Sequence, residues 1–215
     1  MRETSHMSPM PPPAPMRMPR ALLFDMDGTL TEPAIDFPAL KAAMGIPLAQ
    51  PILEALAAMT PANRTAAETI LHDYEDRAAT ESKLNPDCDR LIEWIAQRKF
   101  KTALITRNSR KSVASVLGRH GLSFDLLLTR ECANGKYKPD PTPLLMACAQ
   151  LGVSPDDAWM IGDSFHDVNA GVAAGIKTVW LSHGQPRTFE NEPWREVHDL
   201  GELLGLLQRA ACESV

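Results

Sequence analysis

Four stretches of this chain concentrate side chains able to do chemistry. Asp25 and Asp27 stand one residue apart in Asp25-Met26-Asp27-Gly28-Thr29, directly after the aliphatic run Ala21-Leu22-Leu23-Phe24. Thr106, Arg107 and Asn108 follow the run Thr102–Ile105, and Lys138 opens Lys138-Pro139-Asp140-Pro141. Gly162-Asp163-Ser164, with Asp167 after it, follows Ala158–Ile161. Carboxylates act as nucleophiles, carry protons or hold hard, oxygen-seeking cations, while a lysine and a hydroxyl complement an anion. A lone Asp-x-Asp is as often a pair of loop acids at a strand end, so the weight lies on the whole constellation.

Groups so far apart in sequence meet only if the fold delivers them to one edge. The apolar runs Ala21–Phe24, Thr102–Ile105, Phe124–Leu128, Ala158–Ile161 and Thr178–Leu181 read as buried parallel strands. Helical stretches are expected near residues 86–98, 109–119, 141–151 and 165–174, with Ser109 and Asp140 at two of their starts and Gly121 and Gly152 after two of their ends. This alternation predicts an α/β fold, a doubly wound, five-stranded, Rossmann-like parallel sheet built from residues 20–30 and 85–215. In such sheets ligands sit outside the carboxyl ends of the strands, where the polar stretches fall.

Residues 31–84 break the rhythm. They contain no convincing strand, and Phe37–Met44, Pro51–Met59 and the stretch opened by Thr60-Pro61 read as helices. A small helical cap inserted after the first strand is expected. Residues 1–19, rich in proline and methionine and without periodicity, read as a disordered tail.

Composition narrows the function classes. The 215 residues are 44% hydrophobic and 23% charged, as in a globular protein. A formal charge of −5 argues against nucleic acid as the main ligand and leaves a small phosphorylated metabolite open. Cys88, Cys132, Cys148 and Cys212 form no C-x-x-C pair and read as reduced thiols. No membrane-spanning or signal-like apolar run is seen, so a cytoplasmic protein is expected, with a monomer as the default.

The four motifs, in this order, resemble those of the haloacid dehalogenase-like hydrolase superfamily: D-x-D-G-T, a Thr after the second strand, a Lys before a helix, and G-D-x-x-x-D. The resemblance covers about residues 20–185 and extends to the phosphoglycolate phosphatase-like subgroup with a small helical cap. It implies a magnesium-dependent phosphatase in which Asp25 attacks phosphorus to form an aspartyl-phosphate. Asp27 would protonate the leaving alcohol and then activate water. Thr106, Arg107, Asn108 and Lys138 would contact the phosphoryl group, and Asp25, Asp27 (through a nearby backbone carbonyl), Asp163 and Asp167 would serve Mg²⁺.

Elementary electrostatics agrees. A carboxylate facing a phosphomonoester dianion is repelled by about 4 kcal/mol per unit charge at contact and intermediate dielectric, so positive charge is required. Arg107 departs from the family pattern, in which Asn directly follows the Thr. Haloacid dehalogenases lack the second acid, so Asp27 speaks for phosphoryl transfer. A sugar-phosphate mutase and a non-catalytic phospho-ligand-binding relative remain as rivals. A signalling receiver groups its acids differently and carries no insert after its first strand. Phosphoglycolate is the leading named substrate.

Overall fold

The computed structural model describes residues 17–132 and 134–213; the proline- and methionine-rich stretch up to residue 16 lies outside them. Six parallel strands form one sheet in the order β3-β2-β1-β4-β5-β6. They are β1 Ala21–Phe24, β2 Lys101–Ile105, β3 Leu126–Leu128, β4 Ala158–Gly162, β5 Lys177–Leu181 and β6 Arg195–Val197. Strand β1 pairs with β2 on one side and β4 on the other, so the strand order reverses beside it. That reversal opens a crevice at the carboxyl end of β1.

Alternation along each strand feeds two cores. Leu22, Phe24, Leu104, Trp159 and Ile161 face one side, under α4 (Cys88–Gln97), α5 (Arg110–His120) and α8 (Leu200–Glu213). Leu23, Ala103, Ile105 and Met160 face the other, with α6 (Thr142–Leu151) and α7 (Phe165–Ala173). Strands buried on both faces need aliphatic side chains throughout, as β1 and β4 show.

The sheet has six strands where five were expected. The addition, β6, is three residues long, and two of them are exposed and charged, so it carries no apolar run. Other expectations hold to within a few residues. Ser109 caps α5 by accepting the amide of Ser112 at 3.2 Å, and Gly121 and Gly152 end α5 and α6 in left-handed conformations. Asp140 stands just before α6, where its carboxylate accepts the Thr142 amide at 2.8 Å.

Among the described residues three helices precede α4: α1 (Phe37–Met44), α2 (Ile52–Ala58) and the long α3 (Pro61–Glu81). They share a core of their own around Leu40, Met44, Ile52, Leu56 and Leu71. The chain enters and leaves this unit at one place. Thr31 bridges Leu84, the Glu32 amide donates to the Lys83 carbonyl at 2.9 Å, and the Asn85 side-chain amide donates to the carbonyls of Thr29 and Thr31. Among the described residues no helix is long and apolar enough to cross a membrane.

Candidate active site

The loop after β1 is wound tightly. The Asp25 amide continues the ladder by donating to the Ile161 carbonyl at 2.9 Å, and the Met26 carbonyl then accepts the amides of Thr29, Leu30 and Thr31. Gly28 turns the chain at φ 75°, and a Cβ there would lie 2.3 Å from Oδ2 of Asp163. Only glycine suits both the conformation and the space. Gly162, at the end of β4, makes similar room for Asp167, whose Cγ would stand 2.2 Å from an added Cβ.

These cradles collect carboxylates around one ammonium. Nζ of Lys138 lies 2.7 Å from Asp25 and 2.6 Å from Asp167, and the lysine is 2% exposed. Asp167 is wholly buried; its other oxygen accepts the amide and hydroxyl of Ser164 at 3.0 and 2.6 Å, closing a capping box on α7. Asp25, Asp163 and Asp167 can each offer an oxygen within 4.8 Å of the others.

Three acids gather around one lysine, two of them in direct contact with it. Burial raises the Asp25 carboxyl well above its usual range; Lys138 pulls it down, and the charges of Asp167 and Asp163 push it back up. Asp163 is pushed up to about 6 by burial, with the charge of Asp167 second. Burial acts against the Lys138 ammonium, but Asp167 and Asp25 together hold its pKa above that of an ordinary lysine. The site thus has more negative charge than Lys138 balances.

Asp27 stands apart from that cluster. Its Oδ2 accepts the Asn108 side-chain amide at 2.5 Å, and burial raises its carboxyl above the usual range. Thr106 lines the same cleft, and its hydroxyl accepts the Asn108 backbone amide at 3.2 Å. Arg107, expected at the phosphoryl group, lines the same cleft; its guanidinium donates to Glu54 of α2 at 2.8 and 3.1 Å and to the Lys138 carbonyl. Asn108, expected there too, lines the cleft with its side-chain amide on Asp27.

The structure adds contacts that the four motifs do not announce. Glu75 of α3 is 3% exposed and takes a two-pronged contact from Arg130, at 2.5 and 3.1 Å, on the cleft wall. His183, after β5, has Nε2 2.6 Å from the Gly28 carbonyl and so braces the loop that carries Asp27. Nδ1 of His166 is buried in the cleft lining without a hydrogen-bond partner among the described residues; burial, then Arg107, pushes that ring down to about 4. Arg64 closes the end of α2 by donating to the Leu56 and Ala57 carbonyls. None of these pairings leaves a periodic trace in the sequence.

A parallel α/β sheet with acids, a lysine and a hydroxyl at its carboxyl edge, under a helical insert, defines a class of hydrolase. The chain belongs to the haloacid dehalogenase-like hydrolase family, whose model matches residues 32–181 and thereby takes in Thr106, Lys138, Asp163 and Asp167. A haloacid dehalogenase-like hydrolase domain-containing protein of Arabidopsis thaliana is 34% identical over 174 residues, 75% of this chain and 70% of that one. A phosphoglycolate phosphatase of Nitrosococcus oceani is 31% identical over 151 residues, 67% of each chain. A solved hydrolase from Pseudomonas syringae superimposes with a TM-score of 0.74 at 22% identity, covering 87% of this chain and 97% of that one. Within the family the chain is similar to phosphoglycolate phosphatase-like members.

Proposed function

We propose that the protein is a magnesium-dependent phosphatase acting on small phosphomonoesters through an aspartyl-phosphate on Asp25. The observation that carries this reading is the Lys138 ammonium shared by Asp25 and Asp167, with Asp163 completing an acid cluster that one lysine does not balance. A hard divalent cation fits that imbalance, and the oxygen-only donor set suits Mg²⁺. Asp25, Asp163 and a carbonyl beside Asp27 would hold it, with Asp167 orienting the group through Ser164 and Lys138. Bound there, Mg²⁺ would supply the positive charge that lets a phosphate dianion approach a carboxylate.

The remaining roles fall to the chain's own groups. An Asp25 oxygen attacks phosphorus as the ester oxygen departs, and Lys138 offsets the charge on the phosphoryl oxygens. Asp27, separate from the acid cluster and raised by burial, gives its proton to the departing alcohol. It then takes a proton from the water that hydrolyses the acyl phosphate, returning Asp25 and free phosphate. The Thr106 hydroxyl offers a hydrogen bond to a phosphoryl oxygen from the cleft wall.

Phosphoglycolate, the substrate expected from the resemblance, belongs in the first screen. The four cysteines are unpaired, which suits a cytoplasmic setting. The reading is tested with p-nitrophenyl phosphate. Hydrolysis should require Mg²⁺ and be abolished in Asp25→Asn, whereas near-normal turnover by that variant would remove Asp25 as nucleophile.

A further inference from the structure

The cleft before Asp25 and Asp27 encloses about 450 Å³ and has two unlike walls. The sheet side presents the charged and hydroxyl groups described above. The cap side is apolar, formed by Pro33, Ile35, Phe37, Ile52 and Leu71, and Phe165 at the start of α7 extends that lining onto the core. The charged groups that share the cap wall are already engaged: Lys41 donates to the Leu48 carbonyl at 2.6 Å, and Glu75 is held by Arg130.

Two of these apolar side chains stand out. Phe37 is 49% exposed and Phe165 is 46% exposed, whereas Phe24 of the sheet is wholly buried. Both line the same cleft, one from the cap and one from the core. Exposed rings beside a polar reacting centre are suited to the non-reacting part of a ligand. A two-carbon acid such as phosphoglycolate fills a small part of this space and leaves the aliphatic and aromatic wall uncovered.

We infer that the alcohol released carries a flat apolar group, aromatic in the simplest case, which rests against Phe37 and Phe165 while the phosphate faces Asp25. The inference depends on the phosphatase reading and names its substrate class. Phe37 and Phe165 become specificity-determining residues.

The test compares 2-phenylethyl phosphate, ethyl phosphate and phosphoglycolate as substrates of the full chain with Mg²⁺. The first two differ in apolar area while their leaving alcohols are of similar basicity. Wild-type kcat/KM is expected to be at least about tenfold higher for the phenylethyl ester than for either of the others. In Phe37→Ala and Phe165→Ala that preference shrinks, mainly through a higher KM for the phenylethyl ester. Equal values for the two alkyl esters, a preference for phosphoglycolate, or a preference untouched by both variants would each overturn the inference while leaving phosphatase action standing. Inactivity toward all three and toward p-nitrophenyl phosphate would remove the phosphatase reading, and the inference with it.

Discussion

The side-chain amide of Asn108 donates to Oδ2 of Asp27 at 2.5 Å, tying the loop after β2 to the loop after β1. Burial raises the Asp27 carboxyl, this hydrogen bond lowers it, and the charge of Glu75 raises it again. Replacing Asn108 with Ala removes the lowering contribution. If Asp27 must be protonated to release the alcohol, kcat/KM for an alkyl ester falls as pH rises through its pKa. In Asn108→Ala that falling limb moves to higher pH. A pH-rate profile with an unmoved limb would detach Asp27 from the proton.

Lys138 is expected to matter for folding as well as for turnover. Lys138→Met leaves the Asp25 and Asp167 carboxylates facing each other without their cation, and breaking a buried pair from one side costs about 3–5 kcal/mol. Denaturant melts measure that loss. Adding Asp167→Asn relieves part of it and does not restore activity. A single variant as stable as the parent would show that the neighbouring acids neutralise themselves with protons.

Cation binding should depend on pH with a defined sign. The Asp163 carboxyl has its folded pKa raised from 3.8 to about 6, so the folded state binds this proton more tightly than the unfolded chain does. Its contribution to stability is complete below 3.8 and is lost as pH rises toward about 6. Mg²⁺ competes with the same proton. A fixed concentration is therefore expected to raise Tm more at about pH 7 than at about pH 5. Equal shifts at both pH values would place the cation away from Asp163.

Two ion pairs that join the helical insert to the loops after β2 and β3 should differ in strength. Glu75 and Arg130 are nearly buried, at 3% and 12% side-chain exposure, so Arg130→Met alone is expected to cost about 3–5 kcal/mol, and pairing it with Glu75→Met to recover much of that. Glu54, paired with Arg107, is 45% exposed, and that pair is expected to contribute at most about 1 kcal/mol. Double-mutant cycles read by denaturant unfolding compare them. A larger coupling at Glu54–Arg107 would reverse this ranking.

What the sequence disclosed follows from what local pattern encodes. Ala21–Phe24 and Ala158–Gly162 are aliphatic because both faces of the sheet are covered, so these strands and the acids after them stand out. Strand β6 is short, with polar exposed residues, and pairs only along one edge. Leu200, Leu203, Leu204 and Leu207 of α8 do carry helical spacing, so that helix was readable although the expectations stop at Leu181. Glu75 and Arg130 are 55 residues apart, and each looks like one more charge on a solvated surface until the fold joins them. The commitment of Arg107 to Glu54 and of Asn108 to Asp27 was hidden for the same reason.

The pairing of Thr31 with Leu84 has an evolutionary consequence. A segment whose two ends are already side by side can be lengthened, shortened or exchanged at little entropic cost to the chain that hosts it. Asp25, Lys138 and Asp163 lie outside that segment, whereas Phe37, Ile52 and Leu71 lie within it. Selection can therefore redraw what the cleft admits by replacing a cassette, without touching the groups proposed to handle phosphorus.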